Sequence, residues 1–282
     1  VTKDNTNISG TSTYSIANID TTKPSISIKV SNAQTNSVSL TLTCSDPESG
    51  ITKYEYSKDN GSTWVTGTGS SYTFTGLTQG TNYKYAGRCT NGSGLTSVAT
   101  IGSYNITNLV TNGSFENGAT GYYIGSSNVL GVNGTLVSNV KKFGNYSLYI
   151  VDNSTEENYW NRQILTTSSK VGDKYYMSFW HRSVSGKVTG LLKTPNEPDS
   201  SMLITTISNS NSWQFGSNIY TVTKAGNVEL QIGSSITDTF NGTIDGILVI
   251  NLTDSFGKNN EPSKEWCDKN LSYFEESTVV YK

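Results

Sequence analysis

The spacing of turn residues constrains this chain more than any other feature. Clusters of Gly, Asn, Asp and Ser break it roughly every 8–12 residues. Between the breaks, apolar and aromatic residues alternate with polar ones. A period of two is that of a half-buried strand; a helix face needs 3.6. Tyr175–Arg182 shows the pattern cleanly. Tyr175, Met177 and Phe179 share one face, and Tyr176, Ser178, Trp180 and Arg182 share the other. The expected fold class is therefore all-β, made of short strands in stacked sheets, and 282 residues are enough for two such domains.

Composition removes several function classes. Charged residues make up 15% of the chain and the net charge is −2. Nucleic acid is not expected as a partner, because binding phosphate backbones needs a basic excess. No apolar run approaches the ~20 residues of a membrane-spanning helix, so no membrane insertion is expected. The chain begins at Val1 with no visible signal peptide, which reads as a fragment of something longer.

Residues 23–107 read as one unit. Strands are expected at Ser25–Val30, Ser37–Cys44, Lys53–Ser57, Ser71–Thr75, Asn82–Thr90 and Val98–Ile106, with a tight turn at Asp59-Asn60-Gly61. The stretch Leu77-Thr-Gln-Gly-Thr-Asn-Tyr83-Lys-Tyr85 resembles the tyrosine-corner region of fibronectin type III domains. Tyr54 to Trp64 is similar to immunoglobulin-like repeats of bacterial and phage surface proteins. That resemblance implies an immunoglobulin/fibronectin III-like β-sandwich. It places Cys44 and Cys89 on facing strands, as a disulfide or as two buried thiols. A bridge there would stabilise the fold by roughly 4 kcal/mol in the chain-entropy model. Tyr14–Ile19 echoes Tyr104–Leu109, so residues 1–22 read as the end of a preceding domain or as an added strand.

Residues 108–282 read as a larger second unit. Asn108-Leu-Val-Thr-Asn-Gly-Ser-Phe-Glu116 and Phe143-Gly-Asn-Tyr-Ser-Leu-Tyr-Ile-Val151 resemble landmarks of jelly-roll carbohydrate-binding modules. Tyr220–Thr223, Val228–Ile232 and a closing strand at Thr243–Asn251 continue the alternation. A short C-terminal helix is expected over 262–270, with Pro262 in its first turn and Trp266 packed on the sandwich. The tail Leu252–Asp268 followed by Tyr273-Phe-Glu is similar to the C-terminal signature of phage tail and minor structural proteins of Gram-positive hosts.

Little in the chain points to catalysis. The single His181 lies in a strand, and no Ser or Cys sits in a nucleophile motif. No CxxC, HExxH or Gly-Lys-Ser pattern occurs. The acid pairs Glu156/Glu157 and Glu197/Asp199 lie in Ser-, Asn- and Pro-rich segments and read as solvated loop carboxylates. No catalytic residue and no catalytic cofactor are expected. The jelly-roll resemblance implies one structural calcium ion on Glu116 and Asp245, since hard oxygen donors suit it. The alternative is that both acids bond nearby backbone amides. Sugar binding needs flat aromatic surfaces flanked by hydrogen-bonding side chains. Trp180 with Arg182, Trp160 with Gln163, Trp213, and Tyr122/Tyr123 at a rim are the candidates.

The resemblance implies a non-catalytic module on a virion surface that binds host cell-surface carbohydrate. Other virion proteins or a second copy are further partners. Two alternatives stay open. One is an assembly protein with no glycan site. The other is a bacterial cell-surface adhesin or the accessory region of a cell-wall enzyme.

Overall fold

The computed structural model describes residues 20–34, 36–122, 134–153, 159–195, 197–198, 203–207, 210–234 and 239–282. Among the described residues almost every element is a strand, and the helices are short and C-terminal. The chain forms two compact units: Val1–Gln79 with Tyr83–Gly102, and Gly80–Asn82 with Ser103–Lys282. The repeat at Tyr14–Ile19 lies outside the described residues.

The first unit holds β1 (Ser25–Gln34), β2 (Ser37–Ser45), β3 (Ile51–Ser57), β4 (Val65–Gly67), β5 (Ser71–Thr75), β6 (Lys84–Asn91) and the start of β7 (Thr96–Thr107). One sheet has the order β1-β2-β5; in the other, β7 pairs β6, β6 pairs β3 and β3 pairs β4. Val38, Leu40 and Leu42 alternate inward from β2 and are buried, as are Tyr56, Phe74 and Tyr85. Cys44 on β2 and Cys89 on β6 are joined, with Cα atoms 6.5 Å apart. The Tyr83 hydroxyl accepts a hydrogen bond from the Thr78 N–H at 3.0 Å, the bond that defines a tyrosine corner. Asn60 (φ 59°) and Gly61 (φ 84°) make the expected left-handed turn.

The second unit adds β8 (Gly134–Val137), β9 (Ser147–Asp152), β10 (Tyr159–Ser169), β11 (Lys174–Lys193), β12 (Leu203–Ile207), β13 (Gln214–Thr221), β14 (Gly226–Ser234) and β15 (Phe240–Asn251). Helices α1 (Leu252–Phe256) and α2 (Lys264–Asn270) follow, then β16 (Ser277–Tyr281). β11 organises the whole. Its first part, through Gly186, pairs β13 on one side and β15 on the other, and β15 continues to β9 and β8. Its last part, Lys187–Lys193, pairs β12 and β14, and β14 pairs β10. One strand thus belongs to a five-strand sheet and to a four-strand sheet, and the corner lies at Gly186. There φ is +78° and a Cβ would come within 1.9 Å of the Thr239 carbonyl oxygen, so only glycine fits.

The core between the two sheets follows from the alternation. Tyr175, Met177 and Phe179 of β11, with Ile244 and Val249 of β15, meet Val188 and Leu192 from beyond the corner and Val228, Leu230 and Ile232 of β14. Each such side chain contributes about 1.5–3 kcal/mol by leaving water. Tyr122 is fully buried in this core and stacks on Phe115 at 5.2 Å. Its expected place at a rim is therefore corrected.

The opening segment is held by side-chain amides. Asn108 Nδ2 donates to Ile247 O and Phe274 O, and its Oδ1 accepts from Val110 N and Val249 N. The C-terminal segment builds a second cluster on the outer face of the five-strand sheet. Tyr176, Leu248 and Ile250 pack there against Leu252, Phe256, Cys267 and Leu271, with Trp266 half-buried beside them. β15 is the last strand of the jelly-roll sheets, as expected, and the later β16 pairs Ser103–Thr107 of β7 instead. Pro262 does not stand in the first turn of α2. Ser263 is the N-cap, its side chain accepting from the Trp266 N–H, and Pro262 precedes it.

Candidate functional site

The outer face of the five-strand sheet has two halves. One is covered by the C-terminal cluster just described. The other carries Trp180 and Arg182 of β11, and the register sets Trp180 beside Phe215 and Asp245, and Arg182 beside Thr243. Thr243 in turn lies beside Tyr149 of β9, and Tyr149 beside Thr135 of β8. Strict alternation puts all of these on one face, because their neighbours Phe179, Ile244, Leu148 and Ile150 point into the core. A cavity of about 180 Å³ opens here. Tyr149, Arg182, Val184 and Thr243 form its floor, and Val137, Asn139, Val140 and Asn211 line it from the adjoining strand and loops. It is smaller than the ~300–1,000 Å³ of an enclosing small-molecule pocket. Such a size suits one edge of a ligand that lies along the face.

Polar groups in the cavity are oriented. Arg182 Nε donates to the Asn211 carbonyl at 2.6 Å, which fixes the guanidinium plane. The Tyr149 hydroxyl donates to Asn241 Oδ1 at 2.8 Å. Beside the cavity, the Trp180 ring meets Phe215 at 5.2 Å, and Lys142 Nζ stands 3.9 Å from the Trp180 ring centre. Trp180 is half-buried and Phe215 is 37% exposed. Aromatic planes next to fixed donors can stack on a sugar's C–H face while bonding its hydroxyls.

Lys142 is placed by two carboxylates. Asp245 Oδ2 accepts from the N–H groups of Lys142 (2.7 Å) and Phe143 (2.9 Å), and its Oδ1 accepts from Gly246 N–H. Burial pushes the Asp245 carboxyl up to about 6, against the pull of these three bonds. Glu116 accepts from the N–H groups of Asn145 and Tyr146 and from Asn145 Nδ2. Burial opposes its charge, but these bonds outweigh burial and lower its pKa. The acceptor capacity of both acids is thus largely committed to one loop. That donor set is a hydrogen-bonded clamp and does not fit the calcium ion that the resemblance implies, which needs six to eight oxygens turned toward it. Among the described residues the close group of three acids is Asp20, Asp46 and Glu48 in the first unit, where Asn91 and Ser49 bond the two aspartates.

The expected site residues separate. Trp180 and Arg182 come together. Trp213 is half-buried one residue before β13, near Asn211 in sequence. Gln163 is buried, and both ends of its amide hold Thr111, so it does not reach the face. Trp160 belongs to β10, in the other sheet, paired to Gly233. Tyr123, the side chain of Trp160, the pair Glu156/Glu157, and Asp199 lie outside the described residues. Glu197 is not a solvated loop acid. It is buried, and bonds from Thr194, Tyr220 and Thr223 hold its pKa near 2 against the opposing effect of burial. His181 is buried against Ser183, and desolvation lowers its pKa to about 4. Tyr149, Thr243, Asn241 and Lys142 were missed. The period-two pattern held the signal for the first three, since each alternates with a core residue.

No family model and no curated protein matches the chain. Among solved structures, one of carbohydrate-binding modules of the β-sandwich superfamily, studied for promiscuous specificity, is similar over 82% of this chain and 99% of its own, at 16% identity and TM-score 0.49. The N-terminal tandem of carbohydrate-binding modules from Paenibacillus barcinonensis is similar over 81% and 91%, at 11% identity and TM-score 0.36. The enzymatically active domain of tailspike protein 4 of bacteriophage CBA120 is similar over 50% and 21%, at 14% identity and TM-score 0.38. Figures this low carry no residue, ligand or origin across to this chain.

Proposed function

We propose that the second unit is a non-catalytic glycan-binding module and that the uncovered half of its five-strand sheet is the binding face. One observation carries this reading: Tyr149, Arg182, Thr243 and Asn211 line a shallow cavity, with Tyr149 and Arg182 held by hydrogen bonds and Trp180 beside the cavity on the same face. In its finer form, the chain is a virion-surface protein engaging host cell-surface carbohydrate, with the first unit as an immunoglobulin/fibronectin III-like spacer. The similarity of Leu252–Asp268 to phage structural proteins supports that setting. Many copies on one particle would turn a weak single site into firm attachment.

A glycan array combined with a pulldown on candidate Gram-positive cells tests the reading. The wild type is expected to bind, and Trp180→Ala to lose at least about tenfold in affinity, equivalent to ~1.4 kcal/mol. Equal binding by both proteins would contradict it. A second reading, assembly with other virion proteins or with another copy, draws on Val184 (57% exposed) and Phe215 next to the same cavity. Under that reading Val184→Asp would change the oligomeric state, and the wild type would bind no glycan on the array.

A further inference from the structure

We propose that the ligand of this face is an anionic glycan, a polyhydroxylated chain carrying carboxylate or phosphate groups. The inference rests on the glycan reading above and adds the charge of the ligand.

Two cations stand on the face. Arg182 lines the cavity, with its guanidinium held beside Asn211. Lys142 reaches over Trp180 from the clamped loop. Among the described residues the ion pairs use Lys53 and Arg88 with Glu55, Arg162 with Glu229, Lys174 with Glu261, and Lys264 with Asp268. Neither Arg182 nor Lys142 is in that set. Among the described residues no acid lines the cavity. The acid beside Trp180 on the sheet is Asp245, which is fully buried with both oxygens turned to backbone N–H groups. Glu116 is likewise turned to the amides of Asn145 and Tyr146. These two acids therefore hold the loop, and among the described residues neither Arg182 nor Lys142 has an ion-pair partner.

This excess is local, because the whole chain carries a net charge of −2. A neutral sugar needs only hydroxyl-matching groups, which Asn, Thr and Tyr supply here. A guanidinium fork matches the geometry of a carboxylate or phosphate and bonds it in bidentate fashion; an ammonium adds a point charge. Trp180 and Tyr149 then take the apolar faces of the sugar rings.

Calorimetric titration of the whole chain with three probes tests this: a neutral xylo-oligosaccharide, an oligogalacturonate, and a poly(glycerol phosphate). The expected result is at least tenfold tighter binding of one or both anionic probes, weakening as salt rises. The better of the two identifies the anion as carboxylate or phosphate. Arg182→Gln should lose that preference, and Arg182→Lys, which keeps the charge and controls for folding, should retain part of it. Lys142→Gln should reduce it as well. If the neutral probe binds as tightly as the anionic ones, with Arg182→Gln equal to wild type, the anionic proposal is overturned and the glycan reading stands. If no probe binds while the thermal melt is unchanged, both fall.

Discussion

Two buried ionisable residues, His181 and Asp245, respond to pH in opposite senses. His181 has its pKa lowered to about 4, so below its ordinary value of about 6.5 the unfolded chain takes up a proton that the folded chain refuses. Its contribution to stability is complete above pH ~6.5 and is lost as pH falls toward ~4. Asp245 is raised to about 6, so the folded state binds its proton more tightly, and stability falls as pH climbs from the ordinary carboxylate range through 6. The two effects oppose each other over the same window. Chemical denaturation of wild type and His181→Leu across pH 4–7 separates them. The wild type should lose a few kcal/mol relative to the variant as pH drops, and parallel curves would remove the burial argument. At Glu116, the clamp account predicts that Glu116→Gln lowers stability by about 1–3 kcal/mol, because the amide cannot accept all three bonds. It also predicts that adding EDTA to the wild type leaves the melting temperature unchanged.

At the scale of elements, the corner in β11 and the bridge between β2 and β6 decide most. Gly186→Val should destabilise by more than about 3 kcal/mol, since it adds a clash with the Thr239 carbonyl to an unfavourable positive φ. Replacing Cys44 and Cys89 together by Ala should cost about 4 kcal/mol for a 45-residue separation, read by urea denaturation with and without reductant. These elements also show what the sequence could reveal. Period two placed β2 and β5 well, because each buries one face and register errors there would expose a row of apolar side chains; in β11 it found only the first part, Tyr175–Arg182, of a strand that runs on to Lys193. It could not place the corner, since Gly186 is one glycine among 27 and its role depends on Thr239, far along the chain. β16 escaped notice for a similar reason. Its alternation is short, and its partner, β7, lies 170 residues away at Thr107 and Ser277. The face was legible at Trp180 and Arg182, where strand alternation is local. Gln163 misled, because both ends of its amide are spent on Thr111, 52 residues away in the sequence.

The whole molecule is a pair of β units in which the C-terminal segment serves the fold more than the chemistry. The Leu252–Asp268 stretch buries Leu252, Phe256 and Cys267 over one half of the five-strand sheet. That cover leaves the other half to carry Trp180, Arg182 and Tyr149. In the proposed function the glycan lies on this half and not on the four-strand sheet, where β10 carries Trp160. Titration of the best-binding glycan from the array against Trp180→Ala and Trp160→Ala decides between the two sheets. At least tenfold weaker binding is expected for Trp180→Ala, and affinity within twofold of wild type for Trp160→Ala, the factor of ten corresponding to ~1.4 kcal/mol. Loss of binding in Trp160→Ala alone, with Trp180→Ala folded and fully active, would contradict the proposal.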